Sequence, residues 1–215
     1  MLQKLRAKKD NVNYRQANPL PVMEQFYTLQ GEGFWTGTPA YFIRLAGCDV
    51  GCHWCDVKES WDPAEEQYLD VQEIAQTAKD SGTERVVITG GEPSIYDLTK
   101  LCDALHVLGL KVHMETAGPH ASSGEIDWLC LSPKKFLPPL EEYYEKAHEL
   151  KVIIYNSTDF AWAEMHAARC PEHVELYLQT EWSRRDRFTA EIVQYVKDHP
   201  RWKLSMQTHK YLDIP

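Results

Sequence analysis

The sequence predicts an α/β fold with a mainly parallel sheet. Short apolar segments alternate with amphipathic segments from residue 41 to the end of the chain. Such alternation implies right-handed β-α crossovers, which place neighbouring strands parallel. The length of 215 residues suits one domain with a substantial core. We therefore expect a single domain over residues 22–215, preceded by an N-terminal extension over residues 1–21.

The strands are predicted from short apolar runs bounded by polar or glycine-rich residues. The first run, 41–46, leads directly into a group of cysteines, and the second, 85–89, opens into two glycines. The predicted strands are 41–46, 85–89, 111–116, 128–131, 151–155, 174–179 and 202–206.

The helices are predicted from apolar residues three or four positions apart. Val71, Ile74, Ala75 and Ala78 have this spacing, and the helix ends near Gly82. A second helix carries leucines at positions 98, 101, 105 and 108 and is closed by a glycine at 109. Two more helices are expected near residues 159–168 and 189–199, each between two predicted strands.

Composition narrows the class of protein. The chain is 43% hydrophobic and 26% charged with a net charge of −9, so nucleic acid is not an expected partner. No apolar run approaches the roughly 20 residues of a membrane span, and the start of the chain has no apolar core of a secretory signal. We expect a cytoplasmic protein without a membrane partner. The basic N-terminal residues leave a mitochondrial presequence open as a weaker alternative.

Three cysteines within eight residues indicate a metal centre. Cys48, Cys52 and Cys55 have the spacing C-x3-C-x2-C. A closed structural zinc site needs four protein ligands, whereas three thiolates on a four-iron cluster leave one iron free for another ligand. Spacing alone leaves both open. The candidates for a fourth zinc ligand are His53, Cys102, Cys130 and Cys170.

Two features upstream of the cysteines are suited to ligand binding. In Gln30-Gly31-Glu32-Gly33 the glycines allow close approach of a ligand, and the polar side chains could read a nitrogen-rich ring. This stretch alone favours a hairpin turn with its polar side chains in solvent. Arg44 lies inside a predicted buried strand and needs an anion there, either an internal carboxylate or a substrate carboxylate.

Five polar or glycine-rich stretches follow predicted strands. The carboxyl ends of parallel strands lie at one edge of a sheet, where ligands bind in such folds. We therefore expect these stretches to converge on one site. They are the cysteine loop and residues 89–93, 115–118, 132–134 and 179–181.

Gly90-Gly91-Glu92-Pro93, downstream of the three cysteines, resembles the motif that holds the amino group of S-adenosylmethionine (SAM) in the radical SAM superfamily. Within that superfamily, the chain resembles the 7-carboxy-7-deazaguanine synthase family over residues 22–215. The stretches that carry this closer resemblance are 28–33, 42–48, 54–56, 89–93, 132–134 and 205–215.

The resemblance implies a partial, irregular (β/α) barrel of the radical SAM type. It also implies that Cys48, Cys52 and Cys55 hold a [4Fe–4S] cluster with SAM on the fourth iron, where SAM is cleaved to a 5′-deoxyadenosyl radical. The implied SAM-binding residues are Trp54, Asp56, Gly91, Glu92, Ser132, Pro133, Lys134 and Gln179. The implied substrate-binding residues are Leu29, Gln30, Gly31, Glu32, Arg44, Thr89, His209 and Pro215.

The resemblance further implies the reaction and its partners. A radical would take hydrogen from 6-carboxy-5,6,7,8-tetrahydropterin, and ring contraction with loss of ammonia would yield 7-carboxy-7-deazaguanine. The implied partners are an external one-electron reductant such as flavodoxin and a second copy of the chain in a homodimer. Mg²⁺ is also implied, but Val57 stands where the family usually has Thr or Ser, and its side chain cannot ligate a cation that prefers oxygen. Either substrate, water and Asp56 hold Mg²⁺, or it is less important here.

The residues alone leave two other functions open. A radical SAM activase that forms a glycyl radical on a partner protein would share the cysteines and the Gly-Gly-Glu-Pro stretch. It would not need residues 205–215 at the C-terminus. A non-catalytic zinc module that binds a partner is the alternative from another class of protein.

Overall fold

The computed structural model describes residues 15–64 and 67–215. Nine strands in this part of the chain form one sheet. The strands are β1 (Leu20–Leu29), β2 (Pro39–Leu45), β3 (Tyr68–Leu69), β4 (Arg85–Gly90), β5 (Lys111–Thr116), β6 (Trp128–Leu131), β7 (Glu149–Ile154), β8 (Glu175–Thr180) and β9 (Trp202–Ser205).

Six α-helices accompany the strands in the same part of the chain. They are α1 (Val71–Asp80), α2 (Thr99–Val107), α3 (Glu141–Lys146), α4 (Asp159–Ala167), α5 (Arg185–Asp198) and α6 (Thr208–Leu212). Helix α1 begins where the Asp70 carboxylate accepts a hydrogen bond from the Gln72 amide, which satisfies a free N–H of the first turn. No helix among the described residues is both long enough and apolar enough to cross a membrane.

The sheet is mainly parallel, as the sequence predicts. Its strand order is β3-β1-β2-β4-β5-β6-β7-β8-β9. β1 is antiparallel to both of its neighbours, and every pair from β2 to β9 is parallel. Strands β3 and β9 are the edges of the described sheet, so the sheet is an open, partial barrel, the form that the resemblance implies.

The two faces of the sheet differ in polarity because side chains alternate along each strand. In β7, Leu150 and Val152 belong to the main core, together with Ala163 of α4. Glu149 and Lys151 point to the opposite face, where they line cavities. One face therefore carries the apolar core under the helices, and the other carries polar groups.

Most predicted elements are present, with shifted ends. β7 begins two residues before the expected start, and α5 begins at Arg185 rather than near 189. The sequence analysis missed β1, β3, α3 and α6. β1 carries polar residues on a half-exposed strand, and the other three have between two and six residues, too few to show a period.

The expected N-terminal extension falls mainly on residues 1–14, which lie outside the described residues. β1 begins at Leu20, whose side chain is fully buried. Before it, the Arg15 amide donates to the Ile95 carbonyl over 2.7 Å. Residues 15 and 20, which fall within the predicted extension, thus pack on the rest of the domain.

Candidate active site

A cavity of about 410 Å³ lies at the carboxyl ends of the parallel strands. Of the residues proposed for the site, only Pro133 is not part of the described lining; it is buried. The other proposed residues line this one cavity. They are Cys48, Cys52, Cys55, Trp54, Asp56, Gly91, Glu92, Ser132, Lys134, Gln179, Leu29, Gln30, Gly31, Glu32, Arg44, Thr89, His209 and Pro215.

The cysteine loop leaves β2 through Gly47, whose φ of 100° is readily adopted only by glycine. Cys52 is buried, and Cys48 and Cys55 are partly buried. Burial raises the pKa of Cys48 to about 12 and that of Cys52 to about 11. Metal ligation requires thiolates, so these thiols ionise only when a metal cation takes the place of their protons.

The four candidates for a fourth zinc ligand make contacts with other residues. His53 is exposed, and its ring packs edge-on against Phe136 and Tyr155. The Cys130 thiol contacts the Glu149 carboxylate at 3.7 Å; Cys102 and Cys170 are in the main core. The described contacts of these four residues are with other groups, so none of the four is identified as a fourth zinc ligand.

The Gly-Gly-Glu-Pro stretch packs directly on the cysteine loop. The Glu92 amide donates to the Gly47 carbonyl over 2.8 Å, and a Cβ on Gly91 would lie 2.2 Å from that same oxygen. The Glu92 carboxylate is buried and accepts hydrogen bonds from the Thr116 hydroxyl and, over 2.8 Å, the Ala117 amide. Glu92 thus ties the end of β5 to this loop.

Lys134 lies against the cysteine loop, with 5.9 Å from its Nζ to the centroid of the Trp54 ring. Its ammonium donates to the Ser132 carbonyl and hydroxyl, each over 2.6 Å. Burial lowers the pKa of Lys134. Gln179 is buried at the end of β8, where its amide oxygen accepts from the Ser205 hydroxyl over 2.6 Å.

A buried charge network forms the floor of the cavity. The Lys151 ammonium lies 2.5 Å from a Glu32 carboxylate oxygen and 2.9 Å from a Glu115 oxygen. Gln30 donates to Glu115 over 3.0 Å, and Gln207 donates to Glu32 over 2.9 Å. We call Gln30, Glu32, Glu115, Lys151 and Gln207 the floor network.

Charge pairing inside the floor network determines which of its groups are ionised. Burial opposes ionisation of Glu32, but the charge of Lys151 and hydrogen bonds from Lys151, Gln207 and Gln179 prevail and lower its pKa to about 2. Burial also opposes the charge on Lys151, yet Glu115 and Glu32 raise its pKa well above its ordinary value. The floor therefore presents an ionised carboxylate at neutral pH.

The hairpin interpretation of the glycine-rich stretch is half right. The stretch joins the antiparallel strands β1 and β2, but its polar side chains do not lie in solvent. Gln30 is 8% exposed, and the side chain of Glu32 is 15% exposed. The expectation failed because Glu115 and Lys151, distant in sequence, cover these groups. Sequence reasoning placed residues 115–118 at the site without pairing Glu115 with Gln30, and it missed Lys151. A charged residue inside an apolar strand was a usable signal for Lys151.

Arg44 lines the cavity from β2 and is paired with an internal carboxylate, one of its two predicted alternatives. Its Nε donates to Glu24 over 2.5 Å, and its side chain is 20% exposed. Thr89 is its register partner on β4. The rings of Phe26 and Phe42 stack in the same wall with centroids 5.3 Å apart. Arg44 thus combines an internal ion pair with a position on the cavity surface.

The C-terminal segment closes the cavity against the glycine-rich loop. The Thr208 amide donates to the Gly31 carbonyl over 2.9 Å. A Cβ on Gly31 would lie 2.2 Å from Nδ1 of His209, so glycine is what lets this imidazole approach. Burial lowers the pKa of His209. Lys210 pairs with Asp56 over 2.6 Å, and Pro215 also lines the cavity.

The sequence model of the Radical SAM superfamily matches residues 42–160. The 7-carboxy-7-deazaguanine synthase of Flavobacterium psychrophilum is 53% identical over 196 residues, which are 91% of this chain and 93% of the relative. The chain belongs to the 7-carboxy-7-deazaguanine synthase family. The synthase of Synechocystis is 46% identical, over 90% of this chain and 93% of the relative.

A solved structure agrees with this membership. The crystal structure of QueE from Escherichia coli superposes with a TM-score of 0.78 at 33% identity, covering 87% of this chain and 93% of that one. Membership in the 7-carboxy-7-deazaguanine synthase family, and through it in the radical SAM superfamily, implies a [4Fe–4S] cluster and SAM. It also decides against the zinc module and the glycyl-radical activase.

Proposed function

We propose that this protein is a radical SAM carbon–nitrogen lyase that converts 6-carboxy-5,6,7,8-tetrahydropterin into 7-carboxy-7-deazaguanine and ammonia. The observation that carries the proposal is a single cavity that joins a three-cysteine loop to a set of groups suited to a pterin carboxylate and ring. Similarity to 7-carboxy-7-deazaguanine synthases along 91% of the chain supports the same substrate.

The residues present fit a [4Fe–4S] cluster and SAM. Cys48, Cys52 and Cys55 supply three thiols for a cluster that needs a fourth ligand, and Gly91, which packs closely on the cysteine loop, lines the cavity with them. Lys134 and Gln179 line the same end of the cavity. When bound, the cluster and SAM would supply the radical that abstracts hydrogen from the substrate.

The chain's own residues would bind and orient the pterin. Arg44, already partnered with Glu24 through Nε, has two further guanidinium nitrogens for the substrate carboxylate. The ionised Glu32 accepts from N–H groups of the ring, and Gln30 offers both a donor and an acceptor. A lowered His209 pKa keeps that imidazole neutral, so it can donate and accept.

The rest of the site has to exclude water, because a carbon radical reacts with almost any C–H bond and needs a single accessible target. The stacked Phe26 and Phe42 rings and the C-terminal Pro215 suit this role. The reaction balances without an added oxidant: product and ammonia together contain all the atoms of the substrate. That balance supports regeneration of SAM in each turnover.

The residues do not fit a Mg²⁺ site of the family's kind. Mg²⁺ needs several oxygen ligands, yet the Val57 side chain offers none and the Asp56 carboxylate is paired with Lys210 over 2.6 Å. We therefore assign no step to Mg²⁺.

Three wider proposals rest on the resemblance to the family. They are a homodimer, an external one-electron reductant such as flavodoxin, and a cytoplasmic location. The net charge of −9 supports a protein without a nucleic-acid partner. The single domain over residues 22–215 and the preceding extension remain part of the same proposal.

The test is anaerobic reconstitution with iron and sulfide, followed by SAM, a reductant and 6-carboxy-tetrahydropterin, with mass spectrometry of the mixture. We expect a product lighter than the substrate by one ammonia, with SAM undiminished. Cleavage of SAM with the pterin unchanged would refute this substrate while keeping the radical chemistry. A protein that assembles no cluster would refute both.

A further inference from the structure

Lys210 and Asp56 form an ion pair on the wall of the cavity. They lie 154 residues apart in sequence, and the Lys210 ammonium is 2.6 Å from a carboxylate oxygen of Asp56. The side chain of Lys210 is only 22% exposed, whereas that of Asp56 is 56% exposed. Both line the cavity, beside Val57 and Pro215.

The surroundings hold the ammonium in place. Nζ lies 5.3 Å from the centroid of the Trp182 ring, within the range of a cation–π contact, and Trp182 packs edge-on against Tyr211 of the same helix, α6. An ammonium has three N–H donors. Asp56 is its one hydrogen-bond acceptor among the described residues, so two donors remain for a ligand.

This wall therefore carries an ammonium, paired with Asp56, where a divalent cation would need an oxygen-rich set of ligands. Val57 contributes only methyl groups, and a cation at Asp56 would have to displace Lys210. A compact, strongly hydrated ammonium is a suitable replacement because it pairs with an oxygen anion as a point charge.

We propose that the Lys210 ammonium is the cation that orients the substrate in this protein, in place of a divalent metal ion. Its ligand is an oxygen of the bound pterin. The inference rests on the proposed function for the identity of that pterin. Lys210 is a binding residue that acts by direct contact.

A purely structural role makes a different prediction. If Lys210 only holds α6 against the cysteine loop, its replacement should lower the thermal stability of the protein. Added Mg²⁺ should then not restore pterin binding to the variant. If it orients the substrate, replacement should weaken pterin binding with the cluster retained. Lys210→Arg should then keep much of the affinity, and Lys203→Met, which removes an exposed ion pair with Glu175, serves as the matched control.

The experiment is calorimetric titration of 6-carboxy-tetrahydropterin into anaerobic, cluster-loaded, SAM-bound protein without reductant, so that no turnover occurs. Each variant is measured in EDTA and in millimolar Mg²⁺, and Mn²⁺ binding is followed by EPR. We expect the wild type to bind the pterin equally well in EDTA and in Mg²⁺, and to bind no Mn²⁺. Lys210→Met should lose about tenfold or more in affinity, the usual loss for one charged hydrogen bond.

A second variant keeps the test decisive. In Val57→Thr/Lys210→Met, which restores a hydroxyl and removes the ammonium, Mg²⁺ should recover affinity and Mn²⁺ should bind. Three results would overturn this inference alone. They are a tenfold rise of wild-type pterin affinity with Mg²⁺, tight Mn²⁺ binding by the wild type, and unchanged pterin affinity in Lys210→Met. A wild type that binds no pterin under either condition would overturn the proposed function as well.

Discussion

Replacement of Lys151 by Met should destabilise the protein by about 3–5 kcal/mol, the usual cost of removing one partner from a buried ion pair. Met preserves most of the side-chain volume but removes an ammonium that is 3% exposed and contacts two carboxylates. Glu32 and Glu115 would then share the floor of the cavity without a counter-charge.

The shifted pKa of Glu32 supports the same magnitude. A fall from 4.5 to about 2 corresponds to about 3 kcal/mol of stabilisation at neutral pH. Because the folded-state pKa is lowered, this stabilisation is complete above pH 4.5 and is lost as the pH falls toward 2. At pH 7 the whole contribution is present, so that is the condition in which the loss should be measured.

The assay is urea denaturation of the anaerobic, cluster-loaded protein at pH 7, followed by the fluorescence of its seven tryptophans. Lys203→Met is the control, since its ion pair is surface-exposed and should be worth less than about 1 kcal/mol. Adding Glu32→Gln to Lys151→Met should recover part of the loss, because it removes one unpaired carboxylate. A loss below about 1 kcal/mol for Lys151→Met, or no recovery in the double variant, would refute the reasoning.

Four further predictions concern the site and its surroundings. Arg44→Ala should weaken pterin binding by tenfold or more with iron content unchanged; wild-type affinity in calorimetry would show that Arg44 serves only Glu24. Deletion of residues 213–215 should lower turnover, because Pro215 lines the cavity, and unchanged kcat/KM would remove this segment from the site. Gly31→Ala should displace His209, since its Cβ would lie 2.2 Å from Nδ1; we expect pterin binding to fall while SAM binding persists, and equal losses of both would contradict this. Burial lowers the pKa of His113 from 6.5 to about 4, so this residue should contribute about 1 kcal/mol to a fall in folding stability between pH 7.5 and 5.5, as the unfolded state takes up the proton. That fall should be smaller in His113→Phe, and an identical fall would exclude His113 as its source.

Local sequence patterns were sufficient to predict much of the fold and the end of the site that carries the three cysteines. The core positions of α1 (Val71, Ile74, Ala75 and Ala78) are the buried ones, because a helix turns one face inward at a spacing that the sequence shows directly. The cysteine loop and residues 89–93 also lie together as expected. They follow adjacent parallel strands, β2 and β4, whose carboxyl ends must be neighbours.

Short and polar elements could not be predicted in this way. β1 has Glu and Gln among its apolar residues because one part of it is half-exposed, and α6 has only five residues. Their positions depend on contacts with distant segments, such as the hydrogen bond from the Thr208 amide to the Gly31 carbonyl. Local periodicity contains no information about such contacts.

The sequence by itself determined the parallel α/β architecture, the edge of the sheet where ligands bind and the three thiols of the cluster loop. Only the tertiary structure decided which charges meet. Lys151 and Glu32 are 119 residues apart, and Lys210 and Asp56 are 154 residues apart. Alternation along a strand tells which face a side chain occupies, but its partner depends on strand order, register and the path of distant loops. The substrate end of the cavity is built from these long-range pairs, so its charge became visible only in the folded chain.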